Sequence, residues 1–147
     1  LVQEDLTQFN NELGNLGDFI RRLPRGSRVL VAYMRGGSIQ VRQRFTDDLD
    51  RAARSLRIVP GTGSAAPSSP YQAVSETLNR FDSQPNGRRA VLLISDGLDI
   101  SRGGDGFSST QSPDLEQAIA RAQRKSVAVY SFFTTATLTS GGNSGVN

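Results

Sequence analysis

The residues best placed to do chemistry are Ser95, Asp96 and Gly97, which directly follow an apolar run at residues 91–94. The run shows no polar alternation, which is typical of a strand covered on both faces in a parallel sheet. Open α/β sheets bind ligands beyond the carboxyl ends of their strands, where the loops diverge. A carboxylate there could bind a metal ion, or it could bond to backbone amides, because Asp-Gly is also a common turn. Asp96 is therefore the first candidate functional residue.

The composition restricts the chemistry further, because the chain contains no cysteine and no histidine. This excludes cysteine redox chemistry, zinc sites made of thiolates or imidazoles, and a Ser-His-Asp triad within the chain. A metal ion would need oxygen ligands, which favours Mg²⁺, Ca²⁺ or Mn²⁺. Lys125, the only lysine, falls in the last turn of a predicted helix, where a cation suits the helix dipole. Lysine chemistry is therefore not indicated.

The net charge of +3 results from 17 basic and 14 acidic residues that are spread along the sequence. A nucleic-acid surface normally needs a clustered basic stripe, so we interpret the charge as a solvated surface and expect no nucleic-acid partner. The 147 residues, of which 36% are hydrophobic, fit one soluble domain over residues 1–147. We find no signal peptide or transmembrane run and expect no membrane insertion within this segment.

The first residue is Leu1 rather than Met, which we interpret as the start of a processed or excised piece of a longer protein. On this interpretation the domain over residues 1–147 is incomplete. The sequence does not fix the compartment, and a secreted, periplasmic or cell-surface location is favoured.

Hydrophobic periodicity predicts helices that alternate with strands. Continuous apolar runs predict mutually parallel strands at residues 29–34, 91–94 and 127–133, and the alternating residues 38–45 predict an antiparallel edge strand. The sequence thus predicts an α/β domain with a mainly parallel sheet and one antiparallel edge strand. Helices are predicted around four sets of apolar positions: Leu6, Phe9, Leu13, Leu16, Ile20 and Leu23; Leu49, Ala52, Ala53 and Leu56; Tyr71, Val74, Leu78 and Phe81; and Leu115, Ala118, Ile119 and Ala122.

Polar residues mark the predicted starts of these helices. Thr46 is predicted to cap the second helix, whose acidic first turn suits the helix dipole better than a metal site. Ser68 or Ser69 is predicted to cap the next helix ahead of Pro70. Two loops without periodicity, at residues 60–70 and 101–111, carry several hydroxyls. The acids in and near the second loop, Asp99 and Asp105, are interpreted as solvated loop residues rather than a second metal site.

The order of these elements resembles that of a von Willebrand factor A domain, most of all in the bacterial von Willebrand A-related group. The resemblance depends chiefly on RRAVLLISDGLD at residues 88–99 and on SPYQAV at residues 69–74, and it extends from about Leu6 to Phe133. It implies a Rossmann-like, three-layer α/β fold. It also implies a non-enzymatic, adhesion-type domain that binds a protein ligand, with an acidic side chain of the partner completing the coordination of a bound Mg²⁺, Ca²⁺ or Mn²⁺.

The resemblance also implies the metal ligands in this chain. Asp96 matches the aspartate of the third metal-binding loop, and Ser68 matches the hydroxyl of the second loop, with Ser69 and Thr62 as less suitable substitutes. The first-loop motif, D-x-S-x-S after the first strand, is absent on this interpretation, because the chain begins inside or just before the first helix. One carboxylate and one hydroxyl would hold a divalent ion weakly, since such an ion takes six or more oxygen ligands. A capping role for Ser68 stays equally open.

The missing first strand has a structural consequence. In the family it lies between the strands predicted here at residues 29–34 and 91–94, so its loss would leave unpaired backbone along two buried strands. We expect residues upstream of Leu1, or else a partner chain, to donate a strand at this position.

Two other functions stay open at this point. One is a metal-free, degenerate scaffold domain within a larger assembly. The other is a nucleotide-binding, Rossmann-like enzyme domain that would use residues 61–64, Gly-Thr-Gly-Ser, as a phosphate loop. A phosphate loop joins a strand to a helix and usually adds a lysine, whereas this loop follows a predicted helix and has no lysine near it. We therefore favour a protein without enzymatic activity.

Overall fold

Helices and strands alternate through the part of the chain that the structure describes. The computed structural model describes residues 2–3, 9–35, 38–57, 69–95 and 112–133. The elements in chain order are β1 (Val2–Gln3), α1 (Phe9–Arg21), β2 (Val29–Arg35), β3 (Ser38–Thr46), α2 (Leu49–Arg54), α3 (Pro70–Asn79), a 3₁₀ helix (Arg80–Ser83), β4 (Arg89–Ser95), α4 (Pro113–Arg124) and β5 (Val127–Phe133).

The five strands hydrogen-bond side by side in the order β3-β2-β1-β4-β5. β2 and β3 form an antiparallel pair at one side, β4 and β5 form a parallel pair at the other, and β1 joins the two pairs by parallel contacts. The predicted parallel strands and the antiparallel edge strand are thus confirmed. Because β1, β2, β4 and β5 run in one direction, they all end at the same edge, which we call the carboxyl edge, and begin at the opposite amino edge.

β1 corrects the expectation that no strand of this chain lies between β2 and β4. Val2 pairs with Tyr33 of β2 and with Ile94 of β4, and its side chain is only 3% exposed. The expectation was wrong because two residues are too short to show a strand period. α1 begins at Phe9, so residues 4–8 separate β1 from the helix and the chain does not start inside it.

β1 fills only the carboxyl-edge end of the space between its neighbours. Val2 pairs opposite Tyr33, whereas β2 begins four residues earlier, at Val29. A cavity of about 360 Å³ lies between the amino halves of β2 and β4, lined by residues of both strands such as Val31 and Val91. We call this space the strand gap.

Helices pack on both faces of the sheet. On one face Val91 and Leu93 of β4 belong to a core cluster with buried residues of α3 and α4, including the fully buried Leu78. On the other face Ile94 lies in a cluster with Val2, Val31 and Tyr33, against which α1 packs. The alternation along β4 reflects the period of two in a strand, which sends successive side chains to opposite faces.

Three local predictions need correction. Asp48 rather than Thr46 caps α2: the Asp48 Oδ1 accepts a 2.8 Å bond from the Arg51 backbone N–H. Thr46 still belongs to β3, and its hydroxyl accepts a bond from the Asp48 N–H.

Ile119, predicted to face the core, is 49% exposed, and Tyr130 and Phe132 of β5 are 60% and 63% exposed. β5 is the last strand in the sheet order, which leaves part of its surface uncovered by the described residues.

Candidate functional site

Strand ends and helix starts meet at the carboxyl edge. α3 and α4 both begin there, and their first turns touch, because Gln72 Nε2 of α3 donates a 3.3 Å bond to Asp114 Oδ2 of α4. The direction in which the chain adds strands reverses between β1 and β4. From β1 the chain continues to β2 and β3 on one side of the sheet, and from β4 it continues to β5 on the other side. In open α/β sheets this reversal leaves a crevice at the carboxyl ends of the two strands. The geometry therefore indicates the ends of β1 and β4 as the candidate site.

Three buried serines border this edge. Ser95 ends β4, Ser69 precedes α3 and Ser112 precedes α4, and they are 2%, 1% and 6% exposed. Ser69 and Ser112 occupy the N-cap position ahead of a proline, but neither side chain makes the usual capping bond. None of the three serines is without a polar partner. Buried hydroxyls thus converge on the place where the sequence predicts a ligand.

The Tyr33 side chain fixes the chain that leads into one of the serine-rich loops. Its hydroxyl accepts a 3.0 Å bond from the Arg57 N–H and lies 3.3 Å from the Arg57 carbonyl, to which it donates. The Arg57 guanidinium carbon stands 5.7 Å from the centre of the Tyr33 ring, within cation–π range. Arg57 is therefore tied to the carboxyl end of β2, while Ser69 begins α3 at the same edge. Residues 58–68 connect these two anchored points.

The predicted ligands divide between described and undescribed residues. Asp96, Ser68 and Thr62 lie outside the described residues, so the close approach of Asp96 to Ser68 stays a prediction. Asp96 directly follows Ser95, the last residue of β4, and Ser68 directly precedes the buried Ser69. Ser69 itself lies at the candidate site.

Sequence reasoning named Ser95 without giving it a ligand role, and it missed Ser112 as a candidate. The signal for Ser112 was the Ser-Pro pair, which occurs at the start of both α3 and α4. It also missed Asp5 and Thr7, which follow β1 in the sequence. They lie outside the described residues, and their signal is the spacing D-x-T directly after a strand end, which became recognisable only once β1 was located at Val2–Gln3.

The oxygen donors described at the candidate site are three neutral serine hydroxyls and, in the first turn of α4, the Asp114 carboxylate. Serine hydroxyls are hard oxygen donors that a divalent cation of the Mg²⁺ or Ca²⁺ type accepts. Among the described residues, no group of three or more aspartate, glutamate, histidine or cysteine side chains could hold a metal ion. The hydroxyls fit such a cation, which also takes carboxylate ligands.

Within the ranges that the structure describes, none of the helices combines the length and the apolar character needed to cross a bilayer.

Comparison with known proteins gives structural similarity without sequence similarity. No known family profile matches the chain, and no curated protein matches it. Two solved structures are similar. A conserved hypothetical protein, BatB, from Bacteroides thetaiotaomicron has a TM-score of 0.65 and 14% identity, over 90% of this chain and 63% of that protein. An aerotolerance-related membrane protein from Bacteroides fragilis has a TM-score of 0.61 and 11% identity, over 90% of this chain and 64% of the other. This chain spans less than two thirds of both proteins, and at these identities the similarity shows that they share its α/β fold.

Proposed function

We propose that this chain is a von Willebrand A-type domain, with a three-layer, Rossmann-like architecture, that binds a protein ligand and catalyses no reaction. A divalent cation at the carboxyl edge, Mg²⁺ in the first instance, holds the ligand by accepting one of its carboxylates. The observation that carries the proposal is the strand order β3-β2-β1-β4-β5, which opens a crevice at the carboxyl end of β4, the strand that Asp96 follows in the sequence.

The buried serines support the metal site. A serine hydroxyl is a hard oxygen donor of the kind that a divalent cation accepts. Ser69, Ser95 and Ser112 lie where β4, α3 and α4 meet. Ser68 and Asp96, each the sequence neighbour of one of these serines, supply the hydroxyl and the carboxylate that the resemblance implies.

Residues 4–8 provide the first metal-binding loop in this proposal. They read Glu-Asp-Leu-Thr-Gln and connect the end of β1 to the start of α1. Asp5 and Thr7 match the first two ligand positions of D-x-S-x-S, and Phe9 replaces the last serine. A second carboxylate next to Asp96 would raise the affinity for a divalent ion above that of Asp96 and Ser68 alone.

Cation titration tests the metal site. We expect Mg²⁺ or Mn²⁺ to raise the melting temperature, because a ligand that binds only the folded state stabilises it by roughly 2.7 kcal/mol at a hundred times its Kd. The variants Asp96→Asn and Asp5→Asn should abolish the rise. Asp47→Asn is the matched control, because Asp47 is an exposed acid next to the end of β3, at the amino edge, and its loss should leave the rise unchanged.

The alternatives give different results in the same experiment. A metal-free scaffold domain would unfold cooperatively and show no shift with any cation. A nucleotide-binding enzyme domain would bind ATP at micromolar concentration without a metal ion. If Asp47→Asn weakens the cation effect as much as Asp96→Asn does, the effect comes from general charge screening and the site proposal is wrong.

The strand gap adds a second association to this function. We infer that an extended segment runs parallel to β2 and β4 and fills the gap, either from residues upstream of Leu1 or, as the less favoured source, from a partner chain. About four residues, at about 3.3 Å each, would extend β1 to the level of Val29. Comparing urea unfolding of residues 1–147 with that of a longer polypeptide tests it, and equal midpoints would contradict it.

The proposed function also indicates where the protein acts. A domain that captures protein ligands suits a secreted, periplasmic or cell-surface setting. Fractionation of the source cells, with an antibody against residues 1–147, tests this, and recovery with the cytosol alone would contradict it.

A further inference from the structure

Four arginines that are far apart in the sequence meet at the amino edge of the sheet. Arg25 and Arg28 belong to the connection between α1 and β2, and Arg88 and Arg89 precede or begin β4. All four line one open cleft of about 370 Å³, which we call the arginine cleft. Arg28, Arg88 and Arg89 also line the strand gap, so the cleft opens from the amino-edge end of that gap, whereas Arg25 and residues 84–87 line the cleft alone. The basic residues are therefore not simply spread over the surface, as the sequence suggested.

No carboxylate neutralises these arginines within the described residues. None of the side chains that line the arginine cleft is acidic. The nearest acid in the sequence, Asp82 of the 3₁₀ helix, is paired with Lys125. In the rest of the described chain Asp18 and Asp50 are paired with Arg21. The cleft therefore carries a concentrated positive charge.

Two buried polar atoms of residues that line the cleft also have no hydrogen-bond partner among the described residues. They are Nε of Arg89 and Oε1 of Gln84. The Arg89 side chain is held in place, because its Nη2 atom donates hydrogen bonds to the carbonyls of Gln84 and Pro85 at 3.1 and 3.4 Å. An unmade bond on a buried charged group costs stability, and the Arg89 guanidinium is fixed beside the cleft with one such bond unmade. This observation is independent of the charge.

We propose that the arginine cleft binds an acidic segment of a partner protein, with its glutamate or aspartate carboxylates paired to the guanidinium groups. Guanidinium forks match planar carboxylates with two parallel hydrogen bonds. The cleft floor is apolar, since Phe45 and Phe81 pack edge to face at 5.2 Å beneath the arginines. A segment in which acidic residues alternate with apolar ones complements both the rim and the floor.

Nucleic acid complements the cleft less well. Single strands bind through aromatic faces on which bases stack. Phe81 is only 7% exposed and the Phe45 ring packs against it, so the floor offers no stacking platform. The site lies at the sheet edge opposite to the proposed metal site, and its test does not depend on any cation.

The experiment measures fluorescence anisotropy of a labelled hexapeptide of alternating glutamate and leucine with the full 147-residue chain. We expect the peptide to bind, and we expect its affinity to fall as the salt concentration rises. The double variant Arg28→Gln with Arg88→Gln should lower the affinity by about tenfold or more. Arg28→Lys with Arg88→Lys, which keeps the charge and loses the fork, should also weaken it. The matched control is Arg51→Gln with Arg54→Gln on α2, which removes the same charge from exposed positions outside the cleft and should leave binding unchanged.

Three results with the peptide would overturn the proposal: no binding at low salt, equal binding of a peptide with glutamine in place of glutamate, or an equal loss of affinity in the α2 control. A fourth would be displacement of the labelled peptide by inorganic pyrophosphate at a concentration at which the same amount of unlabelled peptide does not displace it. The last result would make the cleft a phosphate site. Circular dichroism melts of every variant verify that each is folded.

Discussion

The buried serines at the carboxyl edge and the arginine cleft at the amino edge are different kinds of polar group. At the carboxyl edge, Ser69, Ser95 and Ser112 are neutral, buried and partnered, whereas at the amino edge Arg28 and Arg88 are charged and exposed. A buried hydroxyl acts through short-range bonds of fixed geometry, and salt does not screen it. An exposed guanidinium acts through a field that salt screens within about 10 Å at 0.1 M. Substitutions at the first edge should therefore have large effects independent of salt, and those at the second edge small effects that depend on it.

The largest expected effect is that of Tyr33→Ala at the carboxyl edge. Tyr33 is fully buried and supplies both hydrogen bonds that hold Arg57. Removing a buried aromatic side chain costs about 3–5 kcal/mol, and Tyr33→Phe, which leaves the Arg57 N–H unpaired, should cost about 1–3 kcal/mol. Urea unfolding measures both. Tyr130→Ala, at a 60% exposed tyrosine, is the control and should stay within about 0.5 kcal/mol of the parent.

A smaller effect is expected for the buried serines. Ser69→Ala and Ser112→Ala should each reduce the free energy of unfolding by about 1 kcal/mol, because each removes a partnered buried hydroxyl. The control is Ser83→Ala, at an exposed serine of the 3₁₀ helix. Equal losses at low and high salt would support the comparison of the two edges, and a loss that appears only at low salt would contradict it.

The smallest effect, and one of opposite sign, is expected at the amino edge. Arg28→Gln with Arg88→Gln relieves repulsion between like charges, so the free energy of unfolding should rise by up to about 0.5 kcal/mol at low ionic strength. The gain should vanish near 1 M salt, where the screening length is about 3 Å. Thermal melts at two salt concentrations measure it. A gain that persists at high salt would mean that these arginines act by packing, and the electrostatic description of the cleft would be wrong.

Periodicity predicted most of the fold. The apolar runs of β2, β4 and β5 and the alternation of β3 record burial directly, so their direction and pairing followed from the sequence. β1 was missed because Val2 and Gln3 acquire strand structure only from their neighbours. The exposure of Phe132 was missed for a related reason, since an apolar run does not tell whether its strand lies inside the sheet or at its border.

The candidate site was predicted in part. Asp96 was predicted from its place after a strand and lies outside the described residues, whereas Ser69 was predicted from its place before a helix and borders the carboxyl edge. The placement of Ser95 and Ser112 at one edge of the sheet, and of Arg28 and Arg88 around one cleft at the other, depends on packing between segments that are remote in the sequence, and no local pattern encodes such packing. The approach of Asp96 to Ser68 stays a prediction.

The short β1 strand also has a consequence for how the chain folds. The hairpin of β2 and β3 joins consecutive strands, and β4, α4 and β5 form a consecutive unit, so each can form through contacts that are local in sequence. Only Val2 and Gln3 join the two units within the described sheet. The loop that Val2 must close to reach Ile94 spans most of the chain, and such closures slow folding. We therefore expect the last and slowest step to be the insertion of β1 between two preformed halves.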